Sequence, residues 1–179
     1  MGYAKEVADR LFGVVVVRRR TDDDLAALVQ ITARVRATDD YPTYLPDDDY
    51  HRFLTRPVSL EAWVAERDGR ICGHVALNAQ TSPSAMQVLR DTDIDGPIGA
   101  VARLLVDPDF RRQGVAGELL QTVRTAARSQ QRAPVIEVVE SSHAAIALYR
   151  SAGWVELGQT TLSLPDGREL SELVFVTDK

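Results

Sequence analysis

Leu104-Leu105-Val106-Asp107-Pro108-Asp109-Phe110-Arg111-Arg112-Gln113-Gly114-Val115-Ala116-Gly117-Glu118-Leu119-Leu120 is the stretch on which the fold turns. An apolar strand, Ala100 to Val106, is stopped by Pro108, and Gly114 opens a helix in which Val115, Leu119, Leu120, Val123 and Ala127 recur at helical spacing. The helix starts on small residues, Gly114, Ala116 and Gly117, which let a ligand come close to the backbone. Its first N–H groups have no acceptor one turn back, and the aligned peptide dipoles place about half a positive charge there. Arg111 and Arg112 stand beside this helix start. Together these are the physical requirements for holding a pyrophosphate. Gly-x-x-x-x-Gly-Lys-Ser/Thr and Gly-x-Gly-x-x-Gly are both missing, which weakens a reading as a generic nucleotide binder.

Downstream, Val135 to Val139 reads as the next strand, and one intervening helix makes it the parallel partner of Ala100 to Val106 in a right-handed crossover. Ser142 and Gly153 bracket a further helix carrying Ala145, Ile146, Leu148 and Tyr149. Trp154 to Leu164 and Leu170 to Val176 flank Pro165-Asp166-Gly167-Arg168 as a terminal hairpin. Upstream, Val14 to Arg20 is a β-branched strand, and Thr21-Asp22-Asp23-Asp24 opens a helix with Leu25, Leu28, Val29, Thr32 and Val35 on one face. Pro42 and Pro46 then break the pattern, leaving Ala37 to Tyr50 as an acidic, tyrosine-bearing loop. Trp63 to Glu66 and Ile71 to Leu77 form a hairpin about Asp68-Gly69, and Ala79 to Gly99 is a long connection with a short helix around Ala85 to Arg90. The expected class is therefore α/β (α+β), with a mixed sheet.

The 179 residues suit one domain at the rough guide of ~150 residues each. Apolar residues at 45% and charged residues at 26% are those of an ordinary soluble globular chain rather than a disordered or membrane-embedded one. With 21 Lys plus Arg against 26 Asp plus Glu the net charge is −5, so the basic footprint of a nucleic-acid binder is missing and no nucleic-acid partner is expected. A single Cys72 with His51, His74 and His143 makes neither a disulfide framework nor a metal cluster, so no metal is expected. Val14 to Val17 is too short for a signal-peptide core or a membrane span, giving the expectation of a cytoplasmic protein with no membrane partner. Residues 1–13 read as an N-terminal extension and residues 14–179 as the domain.

Arg111-Arg112-Gln113-Gly114-Val115-Ala116 resembles the acyl-CoA signature Arg/Gln-x-x-Gly-x-Gly/Ala of the GNAT superfamily of N-acyltransferases, following a strand that ends in Val-x-Pro. Ser142-His143-Ala144-Ala145-Ile146-Ala147-Leu148-Tyr149-Arg150-Ser151-Ala152-Gly153-Trp154 is similar to that family's second signature, Asn-x-x-Ala-x-x-Leu-Tyr-x-x-x-Gly-Phe. Ser142 stands in place of Asn, Ala116 in place of the second glycine and Trp154 in place of Phe.

The resemblance implies the GNAT fold: a central sheet of six to seven strands flanked by about four helices, with a parallel strand pair that splays to hold acyl-CoA. It implies acetyl-CoA as co-substrate and acetyl transfer to a primary amine by direct attack in a ternary complex. The acceptor would be a small-molecule amine or a peptide or protein amine, and a homodimer is left open. Arg111, Arg112, Gln113, Gly114, Val115, Ala116 and Gly117 would hold the pyrophosphate, with Ser142 and Tyr149 also in the cofactor site. Main-chain groups of Leu105 and Val106 would bond the pantetheine arm, Leu105 polarising the thioester carbonyl as an oxyanion donor does. Tyr149 would be the general acid, its phenol matched to protonating a departing thiolate.

No acid lies in Ala100 to Val106, where family members that use a Glu base carry it, so Glu137, Glu140, His74 or a water chain remain as bases, His74 titrating nearest neutral pH. That gap also motivates a second reading, an inactive acyl-CoA sensor. Cys72, in a strand, reads as a small buried hydrophobe. Asp39, Asp40, Asp47, Asp48 and Asp49 with Tyr41, Tyr44 and Tyr50 would either steer a cationic acceptor or form a solvated acidic loop.

Overall fold

Alternation and helical spacing become seven strands and five helices in the computed structural model, which describes residues 13–56, 59–94 and 96–177. In chain order these are β1 (Val16–Arg19), α1 (Leu25–Asp39), α2 (Tyr50–Leu54), β2 (Ser59–Arg67), β3 (Arg70–Asn78), α3 (Pro83–Arg90), β4 (Ile98–Val106), α4 (Val115–Ser129), β5 (Ala133–Val139), α5 (His143–Ser151), β6 (Val155–Ser163) and β7 (Glu169–Val176). The strands hydrogen-bond in the order β1-β2-β3-β4-β5-β7-β6, with β4 and β5 parallel and the β1-β2, β5-β7 and β6-β7 pairs antiparallel. The mixed sheet is the expected one; among the described residues the helices number five, because the break after α1 holds the one-and-a-half-turn α2. The N-terminal extension lies outside the described residues, apart from Gly13.

The residues fall into two compact units. The first draws on Met1–Ala76 and Arg103–Val123. Its core is the apolar face of α1, where Leu25, Leu28, Ile31 and Val35 pack with Leu54, Val64 and Leu105. Each such side chain contributes about 1.5–3 kcal/mol by leaving water. Thr32 on the same face donates its hydroxyl to the Leu28 carbonyl at 2.7 Å, so its polar group is buried at little cost. The carboxylate of Asp24 ahead of α1 accepts from the Thr21 N–H at 2.7 Å and pairs with Arg18, whose guanidinium holds it down at about 2.

The second unit draws on Leu77–Ala102 and Arg124–Lys179. Here Ala85 and Leu89 of α3 pack on Ile98, Val135 and Val174. The Ser82 hydroxyl caps α3 by accepting from the Ala85 N–H at 3.0 Å, with Pro83 at the first helical position. β4 begins before the expected Ala100, because Gly99 belongs to the strand. A Cβ there would come within 2.9 Å of Leu77 Cδ1 and 3.2 Å of Ala127 Cβ, so a residue that reads as a loop signal is a close-packing requirement. Pro134 likewise sits inside β5, opposite Gly99 in the register. No helix among the described residues is long and apolar enough to cross a membrane.

Candidate functional site

The turn from β4 into α4 is tied down from several sides within the first unit. Asp107, 2% exposed, accepts from the Asp109 N–H at 3.1 Å and is paired with Arg34 of α1, which also reaches Asp109 Oδ2 at 3.1 Å. The Asp107 N–H donates to the Cys72 carbonyl at 2.9 Å. Arg67, buried at the end of β2, donates to the Gln113 carbonyl at 3.0 Å and to its side-chain Oε1. Gln113 Nε2 in turn donates to the Asp109 carbonyl at 3.1 Å.

Held in this way, the turn leaves its own donors unspent. None of the backbone N–H groups from Arg112 to Gly117 donates to another group among the described residues, whereas the next one, of Glu118, closes the first helical bond onto the Gly114 carbonyl at 3.2 Å. Gly114 has φ +86, and a Cβ added to Gly114 or Gly117 would meet no atom within 4 Å, so the backbone faces open space at both positions. Six consecutive unshared N–H groups at the head of a fifteen-residue helix form a cradle for an anion, and a CoA pyrophosphate fits it chemically.

The two arginines part ways. Arg111 is spent on α1, donating to both oxygens of Asp39 (3.0 and 2.7 Å) and to the Thr38 hydroxyl at 3.1 Å. Arg112 is exposed, has φ +61, and makes no side-chain hydrogen bond or ion pair. The acidic loop is largely consumed by local structure as well. Asp39 holds Arg111, Asp48 pairs with Arg36, and Asp49 caps α2 by accepting from the Arg52 N–H at 2.8 Å.

β4 pairs with β5 from Ile98↔Ala133 to Val101↔Ile136, and both Leu105 and Val106 lie beyond the last pair. Between them and that pair Arg103 takes φ +54, a bulge-like kink in the strand. His74 of β3, fully buried, donates from Nδ1 to the Arg103 carbonyl at 2.9 Å. Burial holds its imidazole down at about 4, helped by the Arg20 and Arg103 charges, so His74 is neutral and is no base for an amine at neutral pH. Cys72, completely buried and donating its S–H to the Ala65 carbonyl at 3.3 Å, has its thiol pushed up to about 11 by burial.

In the second unit, Tyr149 of α5 is buried at 7% exposure, its ring 6.0 Å from that of Phe175 and 6.4 Å from that of Trp154. Ser142 precedes α5 at the N-cap position, but its hydroxyl makes no cap bond. The Ser142 carbonyl accepts the Ile146 N–H at 3.0 Å while the side chain stays unspent.

On the strands, Glu137 of β5 accepts from the Ser82 N–H at 3.0 Å and from the Thr81 and Ser82 hydroxyls. Its diagonal neighbour on the same face is Glu172 of β7, which sits opposite Val139. Glu172 is 7% exposed and its side chain makes no hydrogen bond, and burial first, then the Glu137 charge, raise its carboxyl to about 7. Glu140, by contrast, is exposed and accepts from Gln159 Nε2 at 2.9 Å.

Sequence reasoning missed Glu172, although it is the one acid inside the apolar run Leu170 to Val176. A carboxyl bound more tightly to its proton in the folded state loses stability as pH rises from its ordinary value of 4.5 through about 7. Glu172→Gln is therefore expected to gain about 1–2 kcal/mol at pH 8 and nothing at pH 4, half or less of the full shift because water screens part of it. Urea melts at the two pH values measure this.

Among the described residues no group of three or more His, Cys, Asp or Glu is placed to hold a metal ion. Residues 23–154 match the model of the acetyltransferase (GNAT) family. The chain is 33% identical over 99 residues to human N-acetyltransferase 8, a match that spans 55% of this chain and 40% of that relative's length. Among solved structures, it superposes on a ribosomal-protein-alanine N-acetyltransferase from Brucella melitensis with TM-score 0.67 at 23% identity, covering 92% of this chain and 99% of that one. On Arabidopsis thaliana NAA60 in complex with acetyl-CoA the TM-score is 0.69 at 19% identity, covering 91% and 97%.

Proposed function

Since this chain belongs to the GNAT acetyltransferase family, we propose that it is an acetyl-CoA-dependent N-acetyltransferase acting on a primary amine by direct attack in a ternary complex. The observation that carries this reading is the run of unshared N–H groups from Arg112 to Gly117 at the start of α4. Acetyl-CoA, when bound, supplies an acyl group activated as a thioester. The N–H groups of the α4 cradle bind its pyrophosphate, and Arg112, with no other commitment, adds a charge-assisted contact. Main-chain groups of Leu105 and Val106, past the last β4-β5 pair, bond the pantetheine arm, and Leu105 steadies the charge that develops on the carbonyl oxygen. Ser142 offers an uncommitted hydroxyl to the same ligand.

Tyr149 holds the proton that the departing thiolate takes up. For the base, neutral buried His74 and exposed Glu140 are poor choices. Glu137 of β5 carries a carboxylate on the same face of the sheet as Glu172. Glu137, the more accessible of the two, is assigned the amine proton.

Thiol release from acetyl-CoA with a panel of amines tests the function. Binding of acetyl-CoA without thiol release for any amine would leave the sensor reading in its place. The two arginines give a sharper check on the donor site. Arg112→Ala is expected to raise the acetyl-CoA Kd about tenfold, and Arg111→Ala to change it by less than about twofold while lowering Tm, as calorimetric titration and melting would show.

A further inference from the structure

The structure assigns His74 as a positioning residue for acetyl transfer: its Nδ1–H holds the kink of β4 at Arg103 and so sets where the main chain of Leu105 and Val106 stands. That role rests on the acetyl-transfer reading, in which those two residues carry the pantetheine arm and steady the thioester oxygen.

Among the described residues other than glycine that take positive φ, Arg103 at +54 is the one that lies inside a strand; the others sit in turns and loops or at helix ends. A left-handed residue turns its peptide out of the ladder, and such a conformation persists only where its surroundings hold it. The Arg103 carbonyl is met by a side chain, His74 Nδ1 of β3 at 2.9 Å.

An imidazole is a costly way to fill this place. His74 is fully buried and its Nε2 makes no hydrogen bond. A carbonyl only accepts, so in the neutral ring Nδ1 carries the proton and Nε2 is left with a bare lone pair that water would have satisfied. Leucine would fill a similar volume with no polar atom unmet. What the ring adds over an apolar side chain is the bond to Arg103.

β3 grips the same stretch of β4 at two further points. A Cβ on Gly73 would come within 3.0 Å of the Leu105 carbonyl oxygen, 3.0 Å of Val115 Cγ1 and 2.9 Å of Leu119 Cδ1, so Gly73 admits the Leu105 backbone and the face of α4 together. The Asp107 N–H donates to the Cys72 carbonyl at 2.9 Å. His74, Gly73 and Cys72 thus bear in turn on Arg103, Leu105 and Asp107. Of the three, the His74 contact is the one made by a polar side chain, and it acts at the kink itself.

Two substitutions separate holding from filling. His74→Leu keeps the volume and loses the donor, whereas His74→Asn places an amide N–H where Nδ1 stands and leaves a void. Thiol release, melting and calorimetric titration of acetyl-CoA are measured for both. His74→Leu should lower kcat by about a hundredfold, the scale of a small misplacement of reacting groups. Its acetyl-CoA Kd should stay within about threefold, because the α4 cradle is untouched. His74→Asn should recover kcat to within about fivefold of the wild type although its void makes it the less stable of the two. Activity and stability then run in opposite orders, which a packing role does not produce.

Wild-type kcat in His74→Leu, or kcat losses that follow the Tm losses of the two variants, would overturn the role. If His74→Leu does not fold, His74→Asn decides alone, since a larger loss of kcat in a folded His74→Asn protein removes it. The wild-type ring gives a readout that needs neither variant nor turnover: nitrogen–proton correlation spectra should show Nδ1 protonated and Nε2 bare, and the opposite tautomer abolishes the bond and the role with it. If no amine releases thiol, the acetyl-transfer reading fails, and the hold on β4 stands only if this tautomer is found and the Leu105 amide exchanges faster in His74→Leu than in His74→Asn.

Discussion

Tyr149→Phe is expected to lower kcat by roughly a hundredfold or more while leaving the acetyl-CoA Kd within about twofold, because a positioned acid contributes on the order of 10²–10⁴ to rate. The ring is what the fold uses. Tyr149 packs against Phe175 and Trp154, and phenylalanine keeps both contacts, so Tm should move little. The hydroxyl is what the chemistry uses, since a departing thiolate at neutral pH needs a proton source nearby. Steady-state kinetics with calorimetric titration of acetyl-CoA separate the two roles. A rise in Kd with kcat unchanged would place Tyr149 in binding alone.

Glu137→Gln should lower kcat/KM at pH 7 by a comparable factor, with a distinctive pH dependence. Glutamine can still accept from the Ser82 N–H, so the cap region of α3 retains one of its ties. The carboxylate that takes the amine proton is gone, and activity should then climb only as the amine deprotonates by itself at high pH. The wild type should instead hold its activity at lower pH, because a carboxylate is there to take the amine proton. A Glu137→Gln profile identical in shape to the wild type would reject the assignment.

Much of the donor half is legible in the order of residues alone. Small residues at a helix start, with Pro108 ahead and helical spacing behind, require nothing from the rest of the chain to expose their N–H groups. The alternation of β6 and β7 about Asp166-Gly167, and the single helix between β4 and β5, specify the mixed sheet in the same local way. Boundaries fail where a local signal serves a distant contact. Gly99 and Pro134 punctuate loops when read in isolation, yet pair with each other inside strands.

The charged residues divide along the same line. Sequence by itself placed small residues at a helix start from Gly114 to Gly117 and a Leu148-Tyr149 pair on a helix, because these follow from local spacing, and the resemblance of those two motifs implied the acetyltransferase fold. Tertiary structure alone decided which charges are spent. Asp39 pairs with Arg111, the Arg103 carbonyl accepts a hydrogen bond from Nδ1 of His74, and Glu137 acquires Glu172 as a diagonal neighbour. Whether a side chain is ionised, paired or free depends on burial and on partners remote in the chain, and neither is written in the spacing of residues.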